Sequence, residues 1–166
     1  KRAPNDHHSA IQPFLRTYFE NIAMAEVAES ARQGIAMGYL AEHTPVVMNS
    51  DRRLYVAKQE VVRLSEEGYL PPPVSTDIMV LGRKTAATFE VALHQYRNGN
   101  YISDYDVHLG TKLAHVITGG TLSAPQTVHE DYLIELEREV FMSLLGEQKT
   151  MERIQYMLEN RKPLRN

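Results

Sequence analysis

Apolar residues recur at three- and four-residue intervals along most of this chain, in seven segments separated by glycines and prolines. That period lines one side of an α-helix, whereas a half-buried strand requires alternation, which is nearly missing. The first segment, about Gln12 to Ala25, presents Phe14, Leu15, Tyr18, Ile22 and Ala25 and tolerates Pro13 in its first turn. A shorter helix follows Ser30, where Ser30 and Gln33 form an S-x-x-Q capping box and Gly38 offers a left-handed stop. The third spans about Arg52 to Glu67, with Leu54, Ala57, Val61 and Leu64 on one side and Gly68 just beyond.

Pro71-Pro72-Pro73 cannot continue a helix and favours an extended rod, so the strongest boundary lies there. Helix four, about Lys84 to Arg97, turns Phe89, Leu93 and Tyr96 inward and ends at Asn98-Gly99-Asn100. Ser103 with Asp106 opens helix five, whose face is Leu109, Leu113, Val116 and Ile117, and Gly119-Gly120 closes it. Thr127 and Glu130 form another capping box ahead of Leu133, Leu136, Val140 and Leu144. After Gly146, Met151, Ile154 and Leu158 resume a helical face to Asn160. Only Pro45 to Met48 and Ile78 to Leu81 read as strands. The predicted class is all-α, an array of about seven helices. Its expected parts are a helical segment over 1–70, a Pro-rich linker with a short extended stretch over 71–82, and a C-terminal helical segment over 83–166.

At 166 residues the chain supports one domain, or two small ones. A formal net charge of -3 has the wrong sign for a protein held on nucleic acid by bulk charge. With 43% hydrophobic and 23% charged residues it is balanced as a globule rather than a disordered tail. The absence of cysteine removes disulfides, thiolate chemistry and cysteine-ligated zinc. No apolar run approaches the roughly 18 residues of a membrane span. The start, Lys1-Arg2-Ala3-Pro4, has neither an initiator Met nor a signal-peptide core, so the sequence reads as a piece of something longer.

Candidates for chemistry are sparse. Glu90 and His94 stand four apart, and His108 and His115 seven apart. Four-helix metal sites use paired Glu-x-x-His motifs; this spacing differs, so these side chains read as solvated or hydrogen-bonded and no metal site is expected. His129 falls in the first turn of helix six, where the dipole disfavours an imidazolium, which predicts a neutral ring. His7 and His8 adjoin the apparent cut and read as loop or appended residues. Capping accounts for Ser30, Ser103 and Thr127, and a solvated face accounts for Glu130, Asp131, Glu135, Glu137 and Glu139. The glycines make helix stops, not a phosphate-cradling G-x-G-x-x-G or Walker loop. No catalytic residue is assigned. The basic end, Arg153 and then Arg161-Lys162-Pro163-Leu164-Arg165, either complements a helix dipole or grips a few phosphates of a nucleotide-like ligand.

The tail from Leu145-Gly146-Glu147-Gln148-Lys149-Thr150 to Arg161-Lys162-Pro163-Leu164-Arg165-Asn166 resembles the end of a bacterial bifunctional fatty-acid oxidation protein. In that family a 3-hydroxyacyl-CoA dehydrogenase is fused upstream of an enoyl-CoA hydratase (crotonase) module. Ile22-Ala23-Met24-Ala25 through Ser30 to Gly38-Tyr39-Leu40 is similar to the crotonase segment in which a capped helix ends at a Gly-Leu-like stop. Asn49-Ser50-Asp51-Arg52-Arg53-Leu54 through Ala57-Lys58 to Gly68-Tyr69-Leu70-Pro71-Pro72 is similar to the family's following helix. Ile102-Ser103-Asp104-Tyr105-Asp106 and Gly119-Gly120 fit as well, so the likeness runs in order through nearly the whole chain.

This resemblance implies the C-terminal helical part of a cytoplasmic β-oxidation enzyme, supporting the hydratase module and its assembly. In crotonases two backbone N–H groups hold the thioester oxygen and glutamates manage the water; such donors suit a developing enolate and paired carboxylates suit proton transfer. Those elements lie in a β-rich spiral that this sequence does not contain. NAD and the acyl-CoA substrate therefore belong to the parent enzyme, with no cofactor bound by this stretch. The expected partners are the rest of the parent chain, its crotonase spiral and dehydrogenase domain, and further copies in a homo-oligomer. The family's last helix brings an aromatic and a Lys to the CoA adenine and phosphates. Aligning on Arg161-Lys162 puts Met157 and Asn160 there, and aligning on Gln148-Lys149 puts Gln155 and Leu158, so only Arg161 and Lys162 are carried forward as CoA phosphate contacts. The alternative is a stand-alone helical module for protein interaction or for ligand or metal binding.

Overall fold

The computed structural model of the chain describes residues 8–166. Seven α-helices follow in order: α1 (His8–Ala23), α2 (Ala31–Ala36), α3 (Arg53–Glu66), α4 (Arg83–Asn98), α5 (Asp104–Ile117), α6 (Glu130–Leu145) and α7 (Gln148–Asn160). The all-α class holds. Among the described residues the strands are β1 (Ile78–Val80) and β2 (Gln126–Val128), which pair antiparallel with Met79 opposite Thr127. Pro45 to Met48 forms no strand, and His7 lies outside the described residues.

Among the described residues the contacts divide the chain into two units, one over residues 27–74 and one combining residues 8–26 with 75–166. The change of unit falls at Val74, and the first helix groups with α4 to α7 rather than with α2 and α3. Its side chains explain this. Phe19, 1% exposed, stacks on Phe89 of α4 with ring centroids 4.5 Å apart and planes 5° apart. Those rings share a core with Leu93 and Ala114, flanked by Leu15, Ala23, Ile102, Val107, Leu113 and Ile117. The buried stripe of α1 is thus Ile11, Leu15, Phe19 and Ala23, an i+4 row, while Ile22 from the expected face is 51% exposed. Ala25 lies beyond the helix with a positive φ.

In the unit over 27–74, Ser30 Oγ accepts from Gln33 N at 3.2 Å, and Gln33 Oε1 accepts from Glu29 N at 2.8 Å. The reciprocal bond therefore closes one residue before the expected capping box. Gly38 takes the positive φ expected of a left-handed stop after α2, and Gly68, just beyond α3, takes one as well. The expected apolar face of α3 is uncovered: Leu54 and Val61 are exposed and Leu64 is half-buried. Arg63 bonds Glu60 and Glu67 on its surface.

In the larger unit, α4 and α5 form a helical hairpin, closed by Arg97 bonding Asp104. Gly110 makes their close approach feasible: a Cβ there would sit 2.6 Å from a Leu93 methyl. Gly82, with φ 73°, starts α4 in a conformation open mainly to glycine, and a Cβ would meet the Leu122 carbonyl at 2.7 Å. Its N–H donates to Thr118 O, and Arg83 N donates to Leu122 O, both at 2.9 Å, so the start of α4 is tied to the chain leaving α5. The Ser103–Asp106 capping box forms with both of its bonds. The Thr127–Glu130 box does not. Thr127 lies in β2, and His129 is the N-cap, its Nδ1 accepting from Asp131 N at 3.2 Å. Glu130 is drawn instead to Ser75, whose backbone it meets through both its N–H and its carboxylate.

Candidate functional site

The densest polar arrangement joins α5 to α7 and the residues after it. Local capping positions its first member: Asp106 Oδ2 accepts from Ser103 N at 2.9 Å, and Ser103 Oγ accepts from Asp106 N at 3.1 Å. That leaves Oδ1 free to accept from Arg153 Nη1 at 2.7 Å, with both side chains only 18% exposed. Arg153 also donates from Nε to Asn166 Oδ1 at 2.8 Å and, at 3.4 Å, from Nη2 to Ser103 Oγ and the Asn166 carbonyl. Burial pushes the Asp106 carboxyl up, but the Ser103 N–H, the Arg153 guanidinium and the Ser103 hydroxyl outweigh it and hold the group below the usual carboxylate range.

Tyr105, one residue earlier on α5, is buried between the cations Arg153 and Lys149, which lie 5.0 and 5.5 Å from its ring centre. Its hydroxyl donates to Glu147 Oε2 at 2.9 Å and pairs with Thr150 Oγ1 at 2.6 Å. Glu147 Oε1 lies 2.9 Å from His108 Nε2, and the His108 ring stacks beside Tyr105 at 5.6 Å. Bonds from His108 and then Tyr105 hold the Glu147 carboxyl below its ordinary value. Burial, reinforced by the Glu147 carboxylate, raises the Tyr105 phenol, so it remains a protonated donor at neutral pH. A phenol held in that form, with its hydroxyl committed to Glu147 and Thr150, is a poor nucleophile or base. The arrangement is an interhelical clamp.

The other sequence candidates separate. Arg161 ends α7 in the left-handed conformation with φ 54°, its N–H donating to Met157 O at 2.9 Å. Arg161 and Lys162 are exposed, and neither side chain enters an ion pair among the described residues. The basic end is therefore split: Arg153 turns inward, Arg161 and Lys162 face solvent, and Arg165 donates to Tyr101 O at 3.4 Å. His108 is taken by Glu147, while His94 is exposed and Glu90 and His115 are half-buried. No three His, Asp or Glu side chains among the described residues converge as metal ligands. Sequence reasoning missed Tyr105, Glu147 and Thr150. The available signal was the i, i+3 spacing of Tyr105 and His108, which puts an aromatic and an imidazole on one helical face.

The fold and this clamp define a helical body braced by charge-assisted bonds between its helices. In sequence, 159 residues, or 96% of the chain, are 40% identical to part of a Bacillus subtilis (strain 168) protein described as "Probable 3-hydroxyacyl-CoA dehydrogenase". The aligned region makes up 20% of that protein, so the chain spans about a fifth of its relative's length. No family model matches the chain, and no solved structure does. None of the described helices is long and apolar enough to cross a membrane.

Proposed function

We propose that this chain is a supporting helical region of a 3-hydroxyacyl-CoA dehydrogenase in cytoplasmic fatty-acid β-oxidation, and that it contains no catalytic centre of its own. The observation that carries this reading is 40% identity, along nearly the whole chain, to a segment of a much longer protein with that description. The dehydrogenase is proposed to use NAD on a 3-hydroxyacyl-CoA substrate. Fusion to a crotonase-type hydratase, with this region buttressing it, is proposed from the resemblance of the tail and the two earlier stretches. Arg161 and Lys162 are the proposed contacts to CoA phosphates, and their exposed, unpaired side chains leave them available for that role.

Two assays test the reading. The isolated 166-residue chain should neither reduce NAD with a 3-hydroxyacyl-CoA nor hydrate a trans-2-enoyl-CoA, and turnover in either assay refutes it. In a full-length dehydrogenase containing this region, Arg161→Ala and Lys162→Ala should raise KM for acyl-CoA with little change in kcat; unchanged KM removes the CoA contact.

Uncovered apolar side chains favour a second reading, assembly with further copies or with the rest of the enzyme. Ile134, Phe141 and Met142 on α6 and Met151 and Leu158 on α7 are all exposed. Light scattering at micromolar concentration should report a mass above that of one chain. A strictly monomeric mass counts against self-association.

A further inference from the structure

A trough of about 400 Å³ runs along α5, walled on one side by the end of α1 and on the other by residues 163–165. Ile22, Met24, Leu109, Leu113 and Leu164 make it largely apolar. Ile22 and Met24 remain exposed on its rim, so this apolar wall is not covered by the chain's own packing. At Ile102 and Arg165 the trough meets a second hollow of about 450 Å³, which shares both residues. Arg97, Lys149 and Arg165 line that hollow against a single side-chain carboxylate, Asp104. Arg97 bonds Asp104, whose carboxylate also feels the charge of Lys149, and neither Lys149 nor Arg165 forms an ion pair among the described residues. Each space is in the range of roughly 300–1,000 Å³ that holds small ligands.

We infer that trough and hollow form one binding site for a linear amphipathic anion. An apolar chain lies along α5 between Met24 and Leu164, and its carboxylate or phosphate head is held by Lys149 and Arg165. The two halves complement each other: burying an apolar chain against Ile22, Met24 and Leu109 is favourable on its own, and the excess of cations over carboxylates at one end selects a negative head and sets its direction. The Asp106–Arg153 pair along the trough is already satisfied and contributes no net charge to the choice. The inference rests on the geometry of this unit and not on the proposed enzyme.

Calorimetric titration of the 166-residue chain with decanoate and decyl phosphate, against decanol and inorganic phosphate, tests it. Both anionic amphiphiles should bind, with the two control compounds at least tenfold weaker. Lys149→Ala with Arg165→Ala should weaken the amphiphiles on the order of tenfold, about 1.4 kcal/mol, and abolish their preference over decanol. Met24→Asp, at an exposed position that leaves the core intact, should weaken both amphiphiles alike. Circular dichroism of each variant controls for folding. Equal affinity for decanol and decanoate, no binding of the amphiphiles, or affinities unchanged in the folded variants would each overturn the inference. So would a doubled mass that Met24→Asp abolishes, because the trough would then belong to a second copy.

Discussion

Replacing Arg153 by Met keeps most of the aliphatic stem and removes the guanidinium, which isolates the contribution of the clamp. The change breaks the 2.7 Å bond to Asp106, the 2.8 Å bond to Asn166 and a cation lying 5.0 Å from the Tyr105 ring centre. Breaking a fully buried ion pair costs about 3–5 kcal/mol, and an exposed one contributes about 0–1 kcal/mol. At 18% exposure on both sides this pair lies nearer the buried limit. Asp106 keeps its two Ser103 bonds, which reduces the penalty of stranding it. The expected loss is therefore about 2–3 kcal/mol, or roughly 4–12 °C in Tm for a chain of this size. The control is Arg138→Met. Arg138 bonds Glu135 with both side chains more than 60% exposed, and its removal should change stability by less than about 1 kcal/mol. Thermal and urea unfolding followed by circular dichroism compare the two. Equal Tm shifts would refute the claim that Arg153 braces α7 against α5. The pH dependence gives an independent check. The folded pKa of Asp106 lies below its unfolded value of about 3.9. Its contribution is thus complete above the unfolded pKa and is lost as pH falls through the folded one. Arg153→Met should move the acid limb of the stability profile to higher pH, and an unmoved limb would place that linkage elsewhere.

Phe19→Ala should cost about 3–5 kcal/mol in urea unfolding, because it empties the centre of the larger core; a loss under 1 kcal/mol would mean that α1 is not integral to that unit. Gly82→Ala should cost about 1–3 kcal/mol through its positive φ and the clash with the Leu122 carbonyl, and a neutral result would show that the start of α4 relaxes freely. Ser103→Ala should lose about 1 kcal/mol by removing a helix cap, whereas Thr127→Ala should stay within about 0.5 kcal/mol. Equal losses at the two positions would contradict the assignment of His129 as the α6 cap.

These contrasts follow the division between local and distant physics. Helix ends were legible because a cap involves residues two to four apart: Ser30 and Ser103 cap as expected, and Gly38, Gly68, Gly119 and Gly120 take the left-handed turns their lack of a Cβ permits. Helix faces were legible where one apolar row dominates, as with Phe89 and Leu93 on α4. On α1 two rows compete, Phe14–Tyr18–Ile22 and Ile11–Leu15–Phe19, and the Phe89 ring that decides between them lies seventy residues from Phe19. Thr127 offers a hydroxyl that suits a cap and a branched Cβ that suits a strand, and pairing opposite Met79 across the ribbon made the choice.

The candidate site was less readable than the fold. Arg153 could be recognised as basic but not as buried, since its partners Asp106 and Ser103 lie 47 and 50 residues away. Sequence thus determined most helix ends, because those free energies arise within one turn, whereas the starts of α4 and α6 were settled by bonds to distant chain. Tertiary structure decided which faces are covered, which cations are neutralised and which apolar walls stay open. Those outcomes depend on side chains brought together only when the helices pack, and no local pattern records them.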